Sequence, residues 1–304
     1  MSTEKTKQTV QTTGHAWDGD LQEFNNPLPS WWLWGFYATV VFSLVYWVLY
    51  PAWPIGKDYT KGAMNEISYK TADGKEVTTH WNTRALLMKE MQEAREAQAK
   101  YVDEIKAASF AEIKASDEKT AFVYSKAKVL FADNCAACHQ TGGDGVIGKY
   151  PNLLDDAWLW GGSFDKIHET IANGRNGAMP SFKKSLSEAQ INDVADYVLS
   201  LSGHEIDAQA AQRGKAVFSG AGGCFACHGA DAKGNPAMGS ANLTDSIWTI
   251  ADVPGAENIA AKKLAVAEVI RNGKQRVMPA WKGRLTDTEI KILTFYVHDL
   301  GGGK

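Results

Sequence analysis

Apolar residues follow three different rhythms along this chain. The first is continuous: no charged side chain stands between Glu23 and Lys57, and within that gap Trp31 to Tyr50 is a nearly unbroken apolar and aromatic run. As a helix this run would be about 30 Å long, the hydrocarbon thickness of a bilayer. Trp31, Trp32 and Trp34 gather at one end and Tyr46, Trp47, Tyr50 and Trp53 at the other, where amphipathic rings favour a membrane interface. Pro29 precedes the run, and Pro51 and Pro54 follow it. The pattern predicts one transmembrane helix at about 31–50. A cleaved leader would start earlier, have a shorter apolar core and show a small-x-small site. A buried core helix would not carry so many tryptophans without a charge.

The second rhythm alternates. Ile67 to Ala72, the turn dipeptide Asp73-Gly74, and Lys75 to Trp81 read as a small β-hairpin. In the third, Leu87, Met91, Ala94, Tyr101 and Ile105 recur mostly at three- or four-residue spacing, an amphipathic helix from about Thr83 to Ala108. Its apolar stripe can dock a partner subunit or pack on the chain's own later domains, and the pattern leaves both open.

From about Thr120 the chain repeats itself. Lys128-Val-Leu-Phe131 corresponds to Lys215-Ala-Val-Phe218, Ile171-Ala-Asn-Gly174 to Ile270-Arg-Asn-Gly273, and Met179-Pro180 to Met278-Pro279. Leu186-Ser-Glu-Ala-Gln-Ile191 likewise matches Leu285-Thr-Asp-Thr-Glu-Ile290. The later landmarks are offset by 99 residues and the first cysteines by 89, so the second copy holds ten more residues between cysteine and methionine. Pro254-Gly255 places the excess in a surface loop around Asp252 to Glu257. Ser187 with Gln190, and Thr286 with Glu289, are capping-box spacings that start a last helix in each copy. These helices and the ones before the cysteines can cross and cover a cofactor edge.

All four cysteines fall in two copies of Cys-x-x-Cys-His, Cys135-Ala-Ala-Cys138-His139 and Cys224-Phe-Ala-Cys227-His228. That motif attaches c-type haem: each thiol adds to a vinyl group, and the next histidine binds the iron from one face. Zinc and thioredoxin-like redox sites share the Cys-x-x-Cys spacing, but neither explains a histidine directly after it, twice. The expectation is two covalently bound haem c groups, with Cys135, Cys138, Cys224 and Cys227 as attachment points and His139 and His228 as axial ligands.

Met179 lies 40 residues after His139 and Met278 lies 50 after His228; both follow an Asn-Gly turn and precede proline. They are the expected sixth ligands. A thioether opposite imidazole raises the reduction potential relative to paired histidines and closes the iron to substrate, which argues for electron transfer. Whether each methionine serves its own repeat stays open. Met238, His168, His204 and His298 have no counterpart in the other copy and are read as packing or surface residues. Pro151, with Ala241 in the second copy, is where a carbonyl would orient each histidine. Arg175 and Arg271 are candidates for the haem propionates, and Trp158 and Trp248 for packing near the haems.

Composition bounds the picture without redirecting it. At 304 residues, 44% hydrophobic and 22% charged, the chain suits two or three domains, and a net charge of -3 offers no nucleic-acid footprint. The fold class expected is mainly α, one N-terminal transmembrane helix followed by two tandem cytochrome c-like domains. The divisions are 1–56 for tail and anchor, 57–119 for the connection, and 120–204 and 205–304 for the two repeats. Lys57, Lys61 and Lys70 outnumber Lys5 and Lys7, which weakly favours a cytoplasmic C-terminal side. Haem attachment at the outer face of a bacterial membrane argues the reverse, and prevails: N-terminus cytoplasmic, haem domains periplasmic.

Beyond the haem motifs, Trp17-Asp18-Gly19, Asn25-Asn26-Pro27-Leu28-Pro29-x-Trp31-Trp32-Leu33-Trp34 and Tyr46-Trp47-x-Leu49-Tyr50-Pro51-Ala52-Trp53-Pro54 form a distinctive aromatic anchor. With it, nearly the whole chain resembles the dihaem subunit III (CcoP/FixP) of cbb3-type cytochrome c oxidases. The resemblance implies a relay that takes electrons from c-type cytochromes and passes them, through a monohaem cytochrome c subunit, to an oxygen-reducing haem-copper subunit of a proton-pumping complex. It implies no catalytic centre in this chain. A dihaem peroxidase-type enzyme and a free-standing anchored shuttle are the alternatives.

Overall fold

The structure, a computed structural model, describes residues 11–64 and 66–301. Lys5 and Lys7, part of the charge argument, lie outside the described residues. The chain forms two compact units, residues 1–98 and 99–304.

In the first unit an antiparallel hairpin, β1 (Thr12–Trp17) and β2 (Leu21–Phe24), precedes α1 (Ser30–Leu49). Pro29 opens α1, and Tyr50, extended ahead of Pro51, closes it. No residue of α1 is buried, and it is apolar all round, with Trp34 75% and Val48 67% exposed. Such a surface suits hydrocarbon. The Thr39 and Ser43 hydroxyls are satisfied within the helix, Thr39 Oγ1 donating to the Phe36 carbonyl (2.7 Å) and Ser43 Oγ to that of Thr39 (2.8 Å). The helix is long and apolar enough to cross a membrane.

Beyond it the chain folds back: the amides of Ala63 and Met64 donate to the carbonyls of Val48 and Leu49, satisfying the last turn of α1 (both 2.9 Å). Trp53 packs edge-on against Trp47, and Tyr50 against Trp81. Two hairpins follow, β3 (Pro54–Ile55) with β4 (Asp58–Tyr59), and β5 (Ile67–Lys70) with β6 (Glu76–Thr79) around the expected Asp73-Gly74 turn. Helix α2 (Thr83–Ala107) contains the boundary between units. Its stripe divides: Leu87 and Met91 are exposed, whereas Ile105 is buried and Tyr101 stacks on Phe122 at 5.4 Å.

The second unit is helical. α3 (Phe110–Lys114), capped by a reciprocal Ser109–Glu112 box, leads into α4 (Asp117–Asn134), the short turn α5 (Ala136–His139), α6 (Phe164–Asn173), strand β7 (Arg175–Met179) and α7 (Glu188–Leu201). The same series returns as α8 (Ala208–Ser219), α9 (Phe225–His228), α10 (Ile259–Asn272), β8 (Lys274–Met278) and α11 (Asp287–Leu300). Both capping boxes expected ahead of the last helices are present.

The last helices, however, change places. α11 packs on α4 and α6, and α7 on α8 and α10. One core therefore joins Val123, Ala127, Leu130, Phe131, Ile167 and Ile171 of the first copy to Ile290, Leu293 and Phe295 of the second. The other joins Ile191, Val194, Val198 and Leu199 of the first to Val266, Ala267 and Ile270 of the second. Polar ties follow the same exchange: Lys263 on α10 bonds the buried Asp196 on α7 (2.6 Å), Arg213 on α8 bonds Asp193 on α7, and Tyr124 on α4 bonds Asp299 on α11.

The crossing is made at β7 and β8, which pair antiparallel with Arg175 opposite Met278 and Met179 opposite Lys274. Gly174 and Gly273, at φ +70°, begin these strands where the chains touch: a Cβ would lie 2.4 Å from the Met278 carbonyl oxygen in one and 2.5 Å from that of Met179 in the other. The repeated Asn-Gly therefore serves a contact between copies. The extra segment of the second copy is not wholly the surface loop expected from Pro254-Gly255. Val253 is buried in the α7–α10 core with Ala251, and the Asp252 carboxylate accepts from the Gly255 amide (3.0 Å). An apolar residue inside the turn pins it down.

Because a core helix of each copy belongs to the other, a fragment ending at residue 204 will lack the α11 half of its core. It is expected to show no cooperative thermal transition by near-ultraviolet dichroism, whereas the intact chain shows one. Gly174→Ala and Gly273→Ala should each destabilise the unit by about 2 kcal/mol or more, measured by denaturant titration, from backbone strain at positive φ plus the backbone clash.

Candidate haem sites

Each Cys-x-x-Cys-His motif forms one helical turn, directly after α4 in the first copy and after a short turn following α8 in the second. The Cys135 amide donates to the Phe131 carbonyl (2.8 Å) at the end of α4, and His139 to that of Cys135 (2.9 Å). In the second copy the Cys224 amide donates to the Phe218 carbonyl (3.0 Å), and His228 to that of Cys224 (2.9 Å). The turn sets both thiols and the imidazole beside one another with the backbone already paired.

Both imidazoles are held from behind. His139 Nδ1 lies 3.0 Å from the Pro151 carbonyl oxygen and His228 Nδ1 2.9 Å from that of Ala241. Donation there puts the proton on Nδ1 and leaves Nε2 with a free lone pair for a metal. Alanine replaces proline in the second copy without loss of the contact, since the acceptor is backbone. Burial pulls both imidazoles below their ordinary pKa, which favours the neutral, ligating form. Burial also pushes the Cys135 thiol up to about 11 and raises that of Cys224. Among the described residues no group of three or more His, Cys, Asp or Glu side chains is assembled.

The methionines sit across the exchange. Met179 lines the cavity that holds Cys224 and His228, together with Leu243, Trp248 and Ile250. Met278 packs on the other core, with Cys135, Ala136 and Trp158. Each therefore reaches the motif of the opposite copy, delivered by the strand that crosses. The loops after them are fastened there too: Phe182 N–H donates to the Ile270 carbonyl (3.1 Å) and Trp281 N–H to that of Ile171 (3.1 Å).

The two arginines singled out for propionates are already paired. Arg175 bonds Glu169 (2.9 Å) and Thr170, holding the Glu169 carboxyl down to about 2, and Arg271 bonds Glu188 (2.8 Å) and Glu268 (2.5 Å). An arginine the sequence reading passed over, Arg276 on β8, has buried Nε and Nη1 atoms with no hydrogen-bond partner among the described residues, and so does the Trp158 indole Nε1. Burial lowers the Arg276 pKa. Its only sequence signal was the lack of a counterpart: β7 has Gly177 opposite it. His298 stacks on Phe164 and His168 lines a surface cleft with Lys106 and Lys291, while Met238 is exposed; none joins either motif.

An apolar cavity walled by a thioether and a backbone-held imidazole, next to two thiols and under crossed helices, fits covalently bound haem c and defines a c-type cytochrome. The comparisons place it further. Residues 9–57 match the N-terminal domain of cytochrome oxidase-cbb3, FixP, and residues 123–198 and 209–297 match cytochrome c oxidase, cbb3-type, subunit III. The cbb3-type cytochrome c oxidase subunit FixP of Azorhizobium caulinodans is 42% identical, over 96% of this chain and 94% of its own. The CcoP subunits of Azospirillum brasilense (41%; 97% and 96%) and Cereibacter sphaeroides (36%; 100% of both) are similar throughout. The chain belongs to the FixP/CcoP family of cbb3-type cytochrome c oxidase subunits, membrane-anchored c-type cytochromes of electron transport.

The backbone acceptor makes a local prediction. Ala241→Gly keeps the carbonyl and should leave the haem spectrum of the second site unchanged, because the histidine is oriented by main chain and not by the residue 241 side chain; an optical spectrum of the purified variant checks it.

Proposed function

We propose that this chain is an anchored dihaem relay that takes electrons from a c-type cytochrome and delivers them, through a monohaem cytochrome c subunit, to the oxygen-reducing haem-copper subunit of a cbb3-type oxidase. The observation that carries the reading is the repeated pairing of a backbone-held histidine with a methionine from the opposite copy, Met179 in the cavity of His228 and Met278 on the core of Cys135. When bound, haem c supplies a one-electron iron couple.

In this reading Cys135 and Cys138 bind one haem and Cys224 and Cys227 the other. His139 pairs with Met278, and His228 with Met179. A thioether ligand in each would leave no coordination position for dioxygen or peroxide, which would set the relay apart from the peroxidase-type alternative. The domain division at 120–204 and 205–304 stands as the division of sequence repeats, each supplying the other's methionine. The tail and anchor, residues 1–56, hold the relay to the lipid, and the Leu87–Met91 stretch within 57–119 offers an exposed apolar contact to a neighbouring subunit. The haem units face the bacterial periplasm and the N-terminus the cytoplasm; haem attachment outside the membrane supports this over the lysine count.

Pyridine haemochrome assay of the purified protein should return two haems per chain, falling to one in the Cys135→Ala/Cys138→Ala variant. The reduced intact protein should bind no carbon monoxide, whereas Met179→Ala and Met278→Ala should each open one iron to it. Oxygen consumption by the isolated chain would overturn the relay assignment, as would protease digestion of right-side-out vesicles that spared everything after Lys57 the periplasmic placement.

A further inference from the structure

Arg276 stands apart from the other arginines of this unit. Arg175, Arg213 and Arg271 are each bonded to carboxylates, and Arg284 lies against the Trp281 ring. Arg276 has one protein bond, from Nη2 to the Thr249 carbonyl at 2.5 Å, and its Nε and Nη1 are buried with no partner among the described residues. A guanidinium is always charged, and burying one without an anion is costly. A protein keeps such an arrangement where an anion from outside the chain completes it.

Its position names the anion. Thr249 lies between Trp248 and Ile250, and all three line the cavity that holds His228 and Met179. Two residues beyond Arg276 on the same face of β8 is Met278, which packs on the core of Cys135. Arg276 is thus bonded to a wall residue of one site and lies two residues along β8 from the methionine packed at the other. Haem c brings two propionate carboxylates; the strand position opposite is Gly177, and Arg175 on β7 is taken by Glu169, so Arg276 is the guanidinium of the strand pair left without a carboxylate and has no symmetry mate. The buried, unpartnered Trp158 Nε1, packed on the first core, is a second donor of the kind such carboxylates use.

We propose that Arg276 is a positioning residue that binds a haem propionate at the junction of the two sites, through the donors that no protein group takes. The inference rests on the dihaem reading above. Its charge compensates the carboxylate, stabilises the reduced iron of that haem, and makes the two otherwise matched sites unequal. Because the first copy has glycine at this place, the inequality is built into the chain.

The test uses the full-length protein in detergent. Replacing Cys135 by alanine leaves one vinyl group on the first haem, so that its visible band shifts to the red and each potential can be read separately by spectroelectrochemical titration. In that background Arg276→Gln should lower the midpoint potential of one haem, with Arg276→Lys retaining most of it; the band that moves identifies whose propionate is held. Unchanged potentials of both haems in Arg276→Gln, with both still attached, would overturn the proposal. Should Arg276→Gln fail to load haem, infrared redox difference spectra of Arg276→Lys with carboxyl-labelled haem decide: a displaced propionate band is expected, and an unmoved one refutes it. Haem content separates the two readings, since fewer than two haems in the unsubstituted protein would undo the relay itself.

Discussion

The antiparallel pairing of β7 with β8 is the contact on which the rest of the haem-binding unit depends. Each strand carries the chain out of the core built by its own cysteines and into the core built by the other pair, so the methionine and last helix of each repeat are handed across together. Five-residue register, close approach at Gly174 and Gly273, and anchoring of the following loops on α6 and α10 make the exchange rigid. Each site is thus built from elements of both copies. The placement of the two Cys-x-x-Cys-His motifs is therefore fixed by packing between the copies and not by a linker alone.

The energetics lie in the two cores rather than in surface charge. Phe131, Phe218 and Phe295 are almost wholly buried, each burial stabilising by about 1.5–3 kcal/mol. The exposed pairs, such as Lys166 with Glu169, contribute little in water. The Asp196–Lys263 pair differs because the carboxylate is buried: losing the lysine would strand a charge between α7 and α10. Polar groups inside this unit are thus spent on orientation, the two histidines held by main-chain carbonyls being the clearest case.

The anchor obeys the opposite logic. Its helix has no buried residue, the Thr39 and Ser43 hydroxyls are returned to the helix backbone, and aromatic rings pack along and beyond its C-terminal end, Tyr46 stacked on Tyr50 and Trp47 edge-on to Trp53. Lipid serves as its packing partner, which is why an uninterrupted apolar run sufficed to recognise it.

What could be read from the order of residues was whatever is local or covalent. Cys-x-x-Cys-His, the capping boxes, the Asp73-Gly74 hairpin and the apolar span each need only a few neighbours, and each stands in the structure where the residues put it. The repeat located both methionines but was silent on which histidine each would face, because an offset of 99 residues is equally compatible with closed and exchanged copies. The surroundings of the arginines were equally hidden: Arg175 meets the nearby Glu169 and Arg271 meets Glu188 from the other copy, while Arg276 became conspicuous only when folding left two of its buried nitrogens without a partner among the described residues. Motif chemistry is written in sequence because covalent spacing sets it. Partnership across the two copies is decided by tertiary structure, where strand pairing and the fit of one helix into another's core choose among arrangements that the chain order allows equally.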